Sequence, residues 1–525
     1  MPYIDIIEWE YLQYKRKFFI NLGNFSISKA TYEIPNIEEI TIERNEKYEI
    51  IGFITGKFEN KEEFEVINEM YNFKKTINYE LHDNYEKILI KNCIIRKIDF
   101  EKDEYNINFR VANIQRIIKN SDENLIIKEW FINGPKNKFL FHRGTEYEKI
   151  VEYKKSRKSG QFPNHNRKPL EKDLSIKINE KSTSYRNYNY IEPKNLQNFI
   201  IELVPNKYEP KWSRSIGIEY HTPDDINANI REKVSEIVSF YFGRQLIKIG
   251  ETYYNEKNEI IKEISYNPYV ITQDLIKLCE LSDMPLVDYD YYRDGNKIEE
   301  DISFLVDSYL SKSEELDFSN FFQYYWLSFS LPHQAQIIIL SSSLESMKKS
   351  WYDSMKSKTK GIYLPKNQYN SIVKDELVSL EEKLKDYPKI FSKIKYAYQM
   401  GSKDALLNFF DEIELKIGDL EKKSLEIRHK TAHGSKIKEE DFSEIYFFVI
   451  ISKTLINRVI LKILDYGGYY KDQFSFENKH IDSPVEKINK EKFDKNYSTR
   501  YEDEETYQKV LEIIDKTFIE KQKLN

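Results

Sequence analysis

The sequence predicts an α+β protein of more than one domain, in which a β-rich amino-terminal domain is followed by an all-α helical bundle. Three observations support this fold class. The chain has 525 residues, which exceeds the size of one ordinary domain. Short runs rich in Ile, Tyr and Phe, such as YEIIGFITG and KILIKNCIIRKIDF, fill the first part of the chain and are typical of strands. From residue 319 onward, apolar residues recur at helical spacing.

The predicted domains follow this change of pattern. Residues 1–285 form the β-rich region, which we expect to act in sensing or regulation. Within it, INANIREKVSEIVSFYFGRQLI predicts an amphipathic helix, and KIGETYY and EIIKEISY predict a hairpin that follows it. Residues 286–318 are expected to form an acidic connector with a short helix. Residues 319–470 form the helical domain, and residues 471–525 form a polar tail with one helix near 503–521.

The helical domain is expected to be a bundle of several helices. The apolar periodicity places them at 320–331, 333–357, 367–385, 388–398, 403–413, 419–432 and 439–465. The longest apolar stretch, Tyr446–Leu464, contains Lys453, Asn457, Arg458 and Lys462. It therefore predicts an amphipathic core helix and not a membrane span.

Composition restricts the function. The formal net charge is −6, so any nucleic-acid site must be a local patch and not the whole surface. The only two cysteines, Cys93 and Cys279, do not support a disulfide or zinc framework. The first residues lack the pattern of a signal peptide. We therefore expect a cytoplasmic protein without a metal or other cofactor.

A basic segment, KKSRKSGQFPNHNRKP, spans residues 154–169. It lies within residues 151–195, which also contain Gly and Pro and predict a loop. Its cationic side chains are Lys154, Lys155, Arg157, Lys158, Arg167 and Lys168. They could bind the phosphate backbone of RNA. A solvated surface loop would have the same composition, and the sequence leaves both interpretations open.

The segment RHKTAHG, residues 428–434, carries the groups best suited to catalysis. Arg428 presents a planar fork of donors to phosphate oxygens, and His433 can transfer a proton near neutral pH. Residues five apart diverge around a continuous helix, so the two side chains converge only if the helix ends or bends between them. Gly434 is a plausible helix stop. The alternative is a salt bridge or cap at a helix end.

Two groups of side chains in the sequence could form a metal site. His429 and His433 have a spacing that can bind zinc, but Lys430 lies between them and a cation disfavours a metal site. Farther upstream, Glu219, His221, Asp224 and Asp225 could coordinate a cation, although these residues more readily cap the helix that follows them. The sequence therefore predicts no metal site.

The segment LEIRHKTAHG resembles the R-x4-6-H signature of HEPN ribonucleases, including the polar residue, His429, directly after the Arg. The upstream segment AQIIILSSSLESMKKSW resembles the earlier HEPN helix that carries an acidic residue, and Glu345 occupies that place. The resemblance covers residues 320–470. The layout of a β-rich region before this domain is similar to that of ApeA-like HEPN proteins, and IIKEWFINGPKN fits that region in character.

The resemblance implies a metal-independent endoribonuclease. His433 would act as the general base or acid, Arg428 would stabilise the charge of the transition state, and Glu345 would orient Arg428 from an inward position. An exposed position on its helix is the other interpretation of Glu345. His429 and Lys430 would bind flanking phosphates. The products would carry 2′,3′-cyclic phosphate and 5′-OH ends, so DNA would not react.

The resemblance also implies the biological setting. ApeA-like proteins act in abortive infection, so we expect an antiviral toxin that is restrained until a phage-derived trigger appears. The expected partners are RNA, with transfer RNA as one candidate substrate, and a second copy of the chain. In a homodimer or higher oligomer formed through the HEPN domain, the motifs of two copies would face each other and form one composite cleft. The alternative is an inactive HEPN module that serves as a scaffold or toxin partner, with recognition in the amino-terminal region.

Overall fold

The computed structural model describes most of the chain. The described residues are 17–22, 25–31, 34–72, 76–118, 126–136, 141, 143–149, 182–204, 212–221, 226–255, 259–270, 275–281, 284–287, 295–432, 442–475 and 477–485. The chain divides into two compact units. The first comprises residues 1–283 and 292–307, and the second comprises 284–291 and 308–525.

The first unit consists mainly of strands. They are β1 (Lys17–Asn21), β2 (Ser26–Ala30), β3 (Ile37–Arg44), β4 (Ile50–Lys57), β5 (Thr76–His82), β6 (Glu86–Glu101), β7 (Glu104–Arg110), β8 (Asn113–Ile118), β9 (Ile126–Ile132), β10 (Arg143–Lys149), β11 (Ser182–Ile191), β12 (Phe199–Leu203), β13 (Ser215–His221), β14 (Ile247–Tyr254) and β15 (Ile260–Tyr266). Helices α1 (Lys61–Asn72), α2 (Ala228–Phe242) and α3 (Leu275–Glu280) interrupt them.

All the described strands of this unit join one antiparallel sheet of 15 strands. Its order is β1-β3-β4-β7-β6-β8-β15-β14-β9-β13-β12-β11-β10, and β2 pairs with β5, which pairs with β6. The predicted β-rich amino-terminal region is therefore confirmed. The predicted hairpin is confirmed as β14 and β15, and the predicted helix before it as α2.

Alternation along the strands builds the core. Strand β4 alternates buried and half-buried residues, as expected for a strand with one face on the core. Gly52 of β4 pairs with Phe109 of β7. A Cβ at Gly52 would lie only 2.2 to 2.9 Å from atoms of the Phe109 ring, so the ring fills the space that a side chain would need.

Strand β9 is buried along its whole length because both its faces are covered. On one face, Lys128 lies in ion pairs with the fully buried Glu202 and Glu219. On the other face, Arg231 Nε of α2 donates to Glu129 Oε1 at 2.9 Å. Each charge on this strand is thus matched across the sheet or from the covering helix, which is how buried charges are tolerated.

The second unit is mainly helical. Helix α4 (Gly295–Lys312) begins in the first unit and enters the second at Ser308. The helices that follow are α5 (Ser319–Phe329), α6 (His333–Asp353), α7 (Lys366–Lys383), α8 (Pro388–Lys395), α9 (Ser402–Glu412), α10 (Asp419–Ala432) and α11 (Phe442–Ile463). Strands β16 (Tyr469–Asp472) and β17 (Glu477–His480) then form an antiparallel hairpin.

The seven helices predicted from residue 320 onward are confirmed as α5 to α11. Three other expectations were wrong. The helix of the expected connector, α4, spans 18 residues and is not short. Part of the expected polar tail, residues 477–480, is a strand, and residues 182–191 of the expected basic loop form β11. The helix predicted near 503–521 lies outside the described residues.

Candidate functional site: one end of the helical unit

Helix α10 carries the first half of the catalytic motif. It runs from Asp419 to Ala432, so Arg428, His429 and Lys430 lie in its last two turns. The helix predicted over 419–432 is confirmed with the same bounds. The side chains of these three residues, and all of His433 and Gly434, lie outside the described residues. The convergence of Arg428 with His433 therefore stays a prediction.

A buried ion pair fixes α10 against α11. Arg458 of α11 donates from Nη1 to Glu421 of α10, and both side chains are fully buried. Arg458 Nη2 also donates to the carbonyl oxygens of Lys416 at 2.7 Å and Ile481 at 3.1 Å. Burial raises the pKa of Glu421, and the adjacent guanidinium opposes this rise. Since Glu421 lies early in α10 and Arg458 late in α11, the two helices run antiparallel.

This pair also sets the height of the motif along α11. Arg428 follows Glu421 by seven residues, and Lys453 precedes Arg458 by five. At a rise of 1.5 Å per residue, these offsets are about 10 Å and about 8 Å in the same direction. Arg428 and Lys453 therefore lie at similar heights in the helical unit.

Glu345 lies in α6. Its side chain is half-buried, which is intermediate between the inward and the exposed positions that the sequence left open. Its carboxylate pairs with Lys348 and accepts a hydrogen bond from Ser402 Oγ at 3.0 Å. The next residue of α9, Lys403, contacts Glu426 Oε1 of α10 at 2.9 Å. The start of α9 thus contacts both Glu345 and the last turns of α10, and the contact between Glu345 and Arg428 stays a prediction.

Helix α6 begins at the end of the helical unit where α11 also begins. The ring of His333, its first residue, lies 4.8 Å from the ring of Tyr446 near the start of α11. At the other end, Trp351 of α6 and Ile463 of α11 line one cleft of about 570 Å³. Helices α6 and α11 therefore run parallel, and the starts of both lie at the end where α10 finishes.

Lys453 is a buried cation at this end that the sequence did not single out as a site residue. Its side chain is 8 % exposed, and its Nζ lies 3.9 Å from the centre of the Phe329 ring of α5. Burial lowers the pKa of Lys453 to about 7. The sequence contained one signal of this burial: Lys453 lies inside the apolar run Tyr446–Leu464, seven residues after Tyr446 and on the same helix face.

His333 is sensitive to the same surroundings. Burial lowers its pKa, the charge of Lys453 lowers it further, and a hydrogen bond with Gln336 opposes both effects. Gln336 Nε2 in turn donates to the carbonyl oxygen of Leu331 at 2.7 Å. The imidazole is therefore held in place by the first turn of its own helix and by the ring of Tyr446.

The other predicted sites are the basic loop and the acidic residues before α2. The side chains Lys154, Lys155, Arg157, Lys158, Arg167 and Lys168 of the basic loop lie outside the described residues. Glu219 and His221 were wrongly expected to cap α2, because Asn227 is the N-cap and its side chain accepts from Ile230 N at 3.0 Å. Glu219 instead contacts His221 Nε2 at 2.9 Å and Lys128, and Asp224 and Asp225 lie outside the described residues.

Within the described ranges, no group of three or more His, Cys, Asp and Glu side chains is arranged to hold a metal ion. Among the described helices, none is long and apolar enough to cross a membrane. No family model, curated protein or solved structure matches the chain. The described fold thus defines an α+β protein with a large antiparallel sheet and a helical unit.

Proposed function

We propose that this protein is a metal-independent endoribonuclease of the HEPN type. The observation that carries the proposal is the position of the R-x4-H motif. Arg428 lies in the last two turns of α10, and α10 packs against both of the long helices α6 and α11. The acidic residue expected from the resemblance, Glu345, lies on α6 and shares contacts at the start of α9 with the last turns of α10.

The proposed reaction is an internal transesterification. His433 removes the proton of a ribose 2′-OH, and the resulting oxyanion attacks the adjacent phosphorus atom. Arg428 donates hydrogen bonds to the phosphate oxygens as negative charge grows on them. The bond from phosphorus to the 5′-oxygen then breaks, and that oxygen takes up a proton. The products are a 2′,3′-cyclic phosphate and a 5′-OH.

The other residues of the motif support this step. Glu345 orients the guanidinium of Arg428, and His429 and Lys430 bind neighbouring phosphates of the same strand. Since one imidazole is poorly placed to act as both acid and base, the chain is proposed to work as a homodimer or higher oligomer that places two motifs in one cleft. The substrate is RNA, with transfer RNA as a candidate.

The proposed role is antiviral. The first unit recognises a phage-derived trigger and restrains the nuclease in the absence of infection, and activation stops growth of the infected cell by cleaving its RNA. The basic loop around Lys154–Lys168 is a proposed second contact with RNA. This role rests on the layout of a β-rich region before the helical domain, which is similar to that of ApeA-like proteins.

The test uses His433→Ala, Arg428→Ala and the control His480→Ala, which removes an exposed histidine of β17. Each protein is incubated with cellular RNA in lysate from phage-infected cells, and the fragments are mapped by sequencing. The wild type and His480→Ala should produce the same new ends, and the other two variants should produce none. New ends that persist in His433→Ala would contradict the proposal and favour a binding module.

A further inference from the structure

The end of the helical unit that carries Arg428 also contains two basic side chains that the proposed reaction does not use. Lys453 lies on the same face of α11 as Tyr446, whose ring contacts the ring of His333, and the charge of Lys453 lowers the pKa of His333. Two basic groups side by side repel when both are protonated, so their proximity costs free energy unless an anion joins them.

Lys453 has no anionic partner in the described part of the chain. Its side chain is 8 % exposed, and its Nζ lies against the face of Phe329 at 3.9 Å. No described carboxylate or carbonyl group accepts a hydrogen bond from it. The cation–π contact offsets only part of the cost of removing an ammonium group from water. A buried ammonium with unused donors is therefore available to an anion.

The first turn of α6 adds a third favourable element. A helix leaves its first N–H groups without intrahelical acceptors, and its dipole is positive at that end. The N-cap residue of α6 is Pro332, which has no side-chain acceptor, and no side-chain hydrogen bond caps the helix there. Phe329, whose ring contacts the ammonium of Lys453, precedes the first helical residue, His333, by four residues. Lys453 therefore lies near an uncapped start of a helix of 21 residues.

The surrounding rings give this place a shape. Phe329 lies below the ammonium of Lys453, and Tyr446 lies against His333 at 4.8 Å between ring centres. Apolar walls around a few convergent donors are typical of sites that bind a compact anion after removing its water. Lysine binds phosphate as a point charge, and an N-terminal helix turn binds it through N–H groups.

We infer that Lys453, His333 and the first turn of α6 form a subsite for a phosphate group. Arg428 and Lys453 lie at similar heights on neighbouring helices, and the phosphate is assigned to the backbone of the bound RNA strand, at a position other than the cleaved bond. The assignment to RNA rests on the proposed ribonuclease function, whereas the affinity for phosphate does not.

The first experiment measures the melting temperature of the full chain in sodium phosphate and in sodium chloride of equal ionic strength. A ligand that binds only the folded state raises this temperature, and the rise grows with the ratio of the ligand concentration to its Kd. Wild type and the control Lys374→Met, which removes an exposed lysine of α7, should gain stability in phosphate over chloride. Lys453→Met should lose this gain. An equal gain in Lys453→Met, or no gain in wild type, would overturn the inference.

The second experiment measures binding of a fluorescent 2′-O-methyl oligoribonucleotide, which cannot be cleaved. Lys453→Met should bind it about tenfold more weakly, or about 1.4 kcal/mol, and Lys374→Met should bind it as wild type does. Unchanged binding by Lys453→Met would remove RNA as the source of the phosphate. If the phosphate effect holds but no RNA is cleaved in the infected lysate, the subsite stands and the nuclease proposal fails.

The melting temperature in chloride separates this subsite from a purely structural role. Methionine keeps the length of the lysine side chain and removes the buried charge, so Lys453→Met should fold and melt higher than wild type in chloride. If Lys453→Met melts higher than wild type in chloride but gains no further stability in phosphate, Lys453 serves binding and not stability. A variant that melts lower in both salts would contradict this account of Lys453.

Discussion

The carboxylate of Glu421 and the guanidinium of Arg458 are both fully buried and join α10 to α11 in an antiparallel pair. The same guanidinium binds the carbonyl oxygens of Lys416 and Ile481, so one side chain connects three segments of the helical unit. The pair lies two helical turns from Arg428. It is therefore a buried contact that helps to fix the axis of α10, on which the position of Arg428 depends.

Arg458→Met should destabilise the protein strongly. It leaves the carboxylate of Glu421 buried without its partner, which costs about 3–5 kcal/mol. The double variant with Glu421→Met should recover much of this loss, since two apolar side chains then pack together. Urea denaturation of the three proteins measures both effects.

The exposed pair between Lys403 and Glu426 is the matched control. Its side chains are 64 % and 58 % exposed, so Lys403→Met should change the free energy of unfolding by less than about 1 kcal/mol. If Arg458→Met costs no more than Lys403→Met, the buried pair does not hold α10 in place.

The stability of wild type should depend on the protonation of Lys453. Its pKa is about 7 in the folded state and about 10.4 in an unfolded chain. Between these values the unfolded state binds more protons, so Lys453 makes stability rise with pH over this window. Lys453→Met should be more stable at pH 7 by a few kcal/mol and should lose this slope. Denaturation at several pH values tests this, and an identical slope in both proteins would show that burial does not lower the pKa of Lys453.

Gly52→Ala should destabilise the first unit. The new methyl group would overlap the ring of Phe109 at 2.2 to 2.9 Å, and overpacking of this kind costs about 1–3 kcal/mol. Phe109→Leu in the same chain should relieve part of the loss. Gly467→Ala is the control, because nothing lies within 4 Å of its Cβ position. Equal thermal denaturation curves for the two single variants would be incompatible with the packing described for β4 and β7.

Glu345→Gln should slow cleavage without unfolding the protein. The amide still accepts the hydrogen bond from Ser402 but loses the charge that would orient Arg428. Loss of a charge-assisted hydrogen bond of about 1.5–3 kcal/mol corresponds to a rate about 10- to 100-fold lower. Glu426→Gln, at the exposed pair with Lys403, serves as the control. A single-turnover rate that is unchanged in Glu345→Gln would place this carboxylate outside the catalytic machinery.

Local patterns in the sequence were sufficient for the helices. The apolar spacing of Leu420, Ile427 and their neighbours predicted α10 with its observed bounds, because helical periodicity is a property of adjacent residues. The hairpin of β14 and β15 was predicted for the same reason. The order of the 15 strands was not, since pairing between distant strands such as β9 and β13 has no local signature.

Buried polar residues were the main failure of the sequence interpretation. The polar residues of α11 predicted an exposed face, yet Lys453, Asn457 and Arg458 are all buried. Arg458 is matched by Glu421, 37 residues away, and Asn457 accepts a hydrogen bond from Tyr325 at 2.9 Å. Spacing along one helix cannot show a partner on another helix, so the sequence did not predict the burial of these side chains.

The chemistry of the RNA ends distinguishes the proposed ribonuclease from a binding module. Purified wild type and His433→Ala are incubated with transfer RNA in EDTA, with lysate from infected cells as the source of the trigger, and the new ends are analysed. The account predicts 2′,3′-cyclic phosphate and 5′-OH ends from wild type alone, and no cut at a nucleotide that carries a 2′-O-methyl group. Ends with a 3′-OH and a 5′-phosphate, or equal fragments from both proteins, would contradict it.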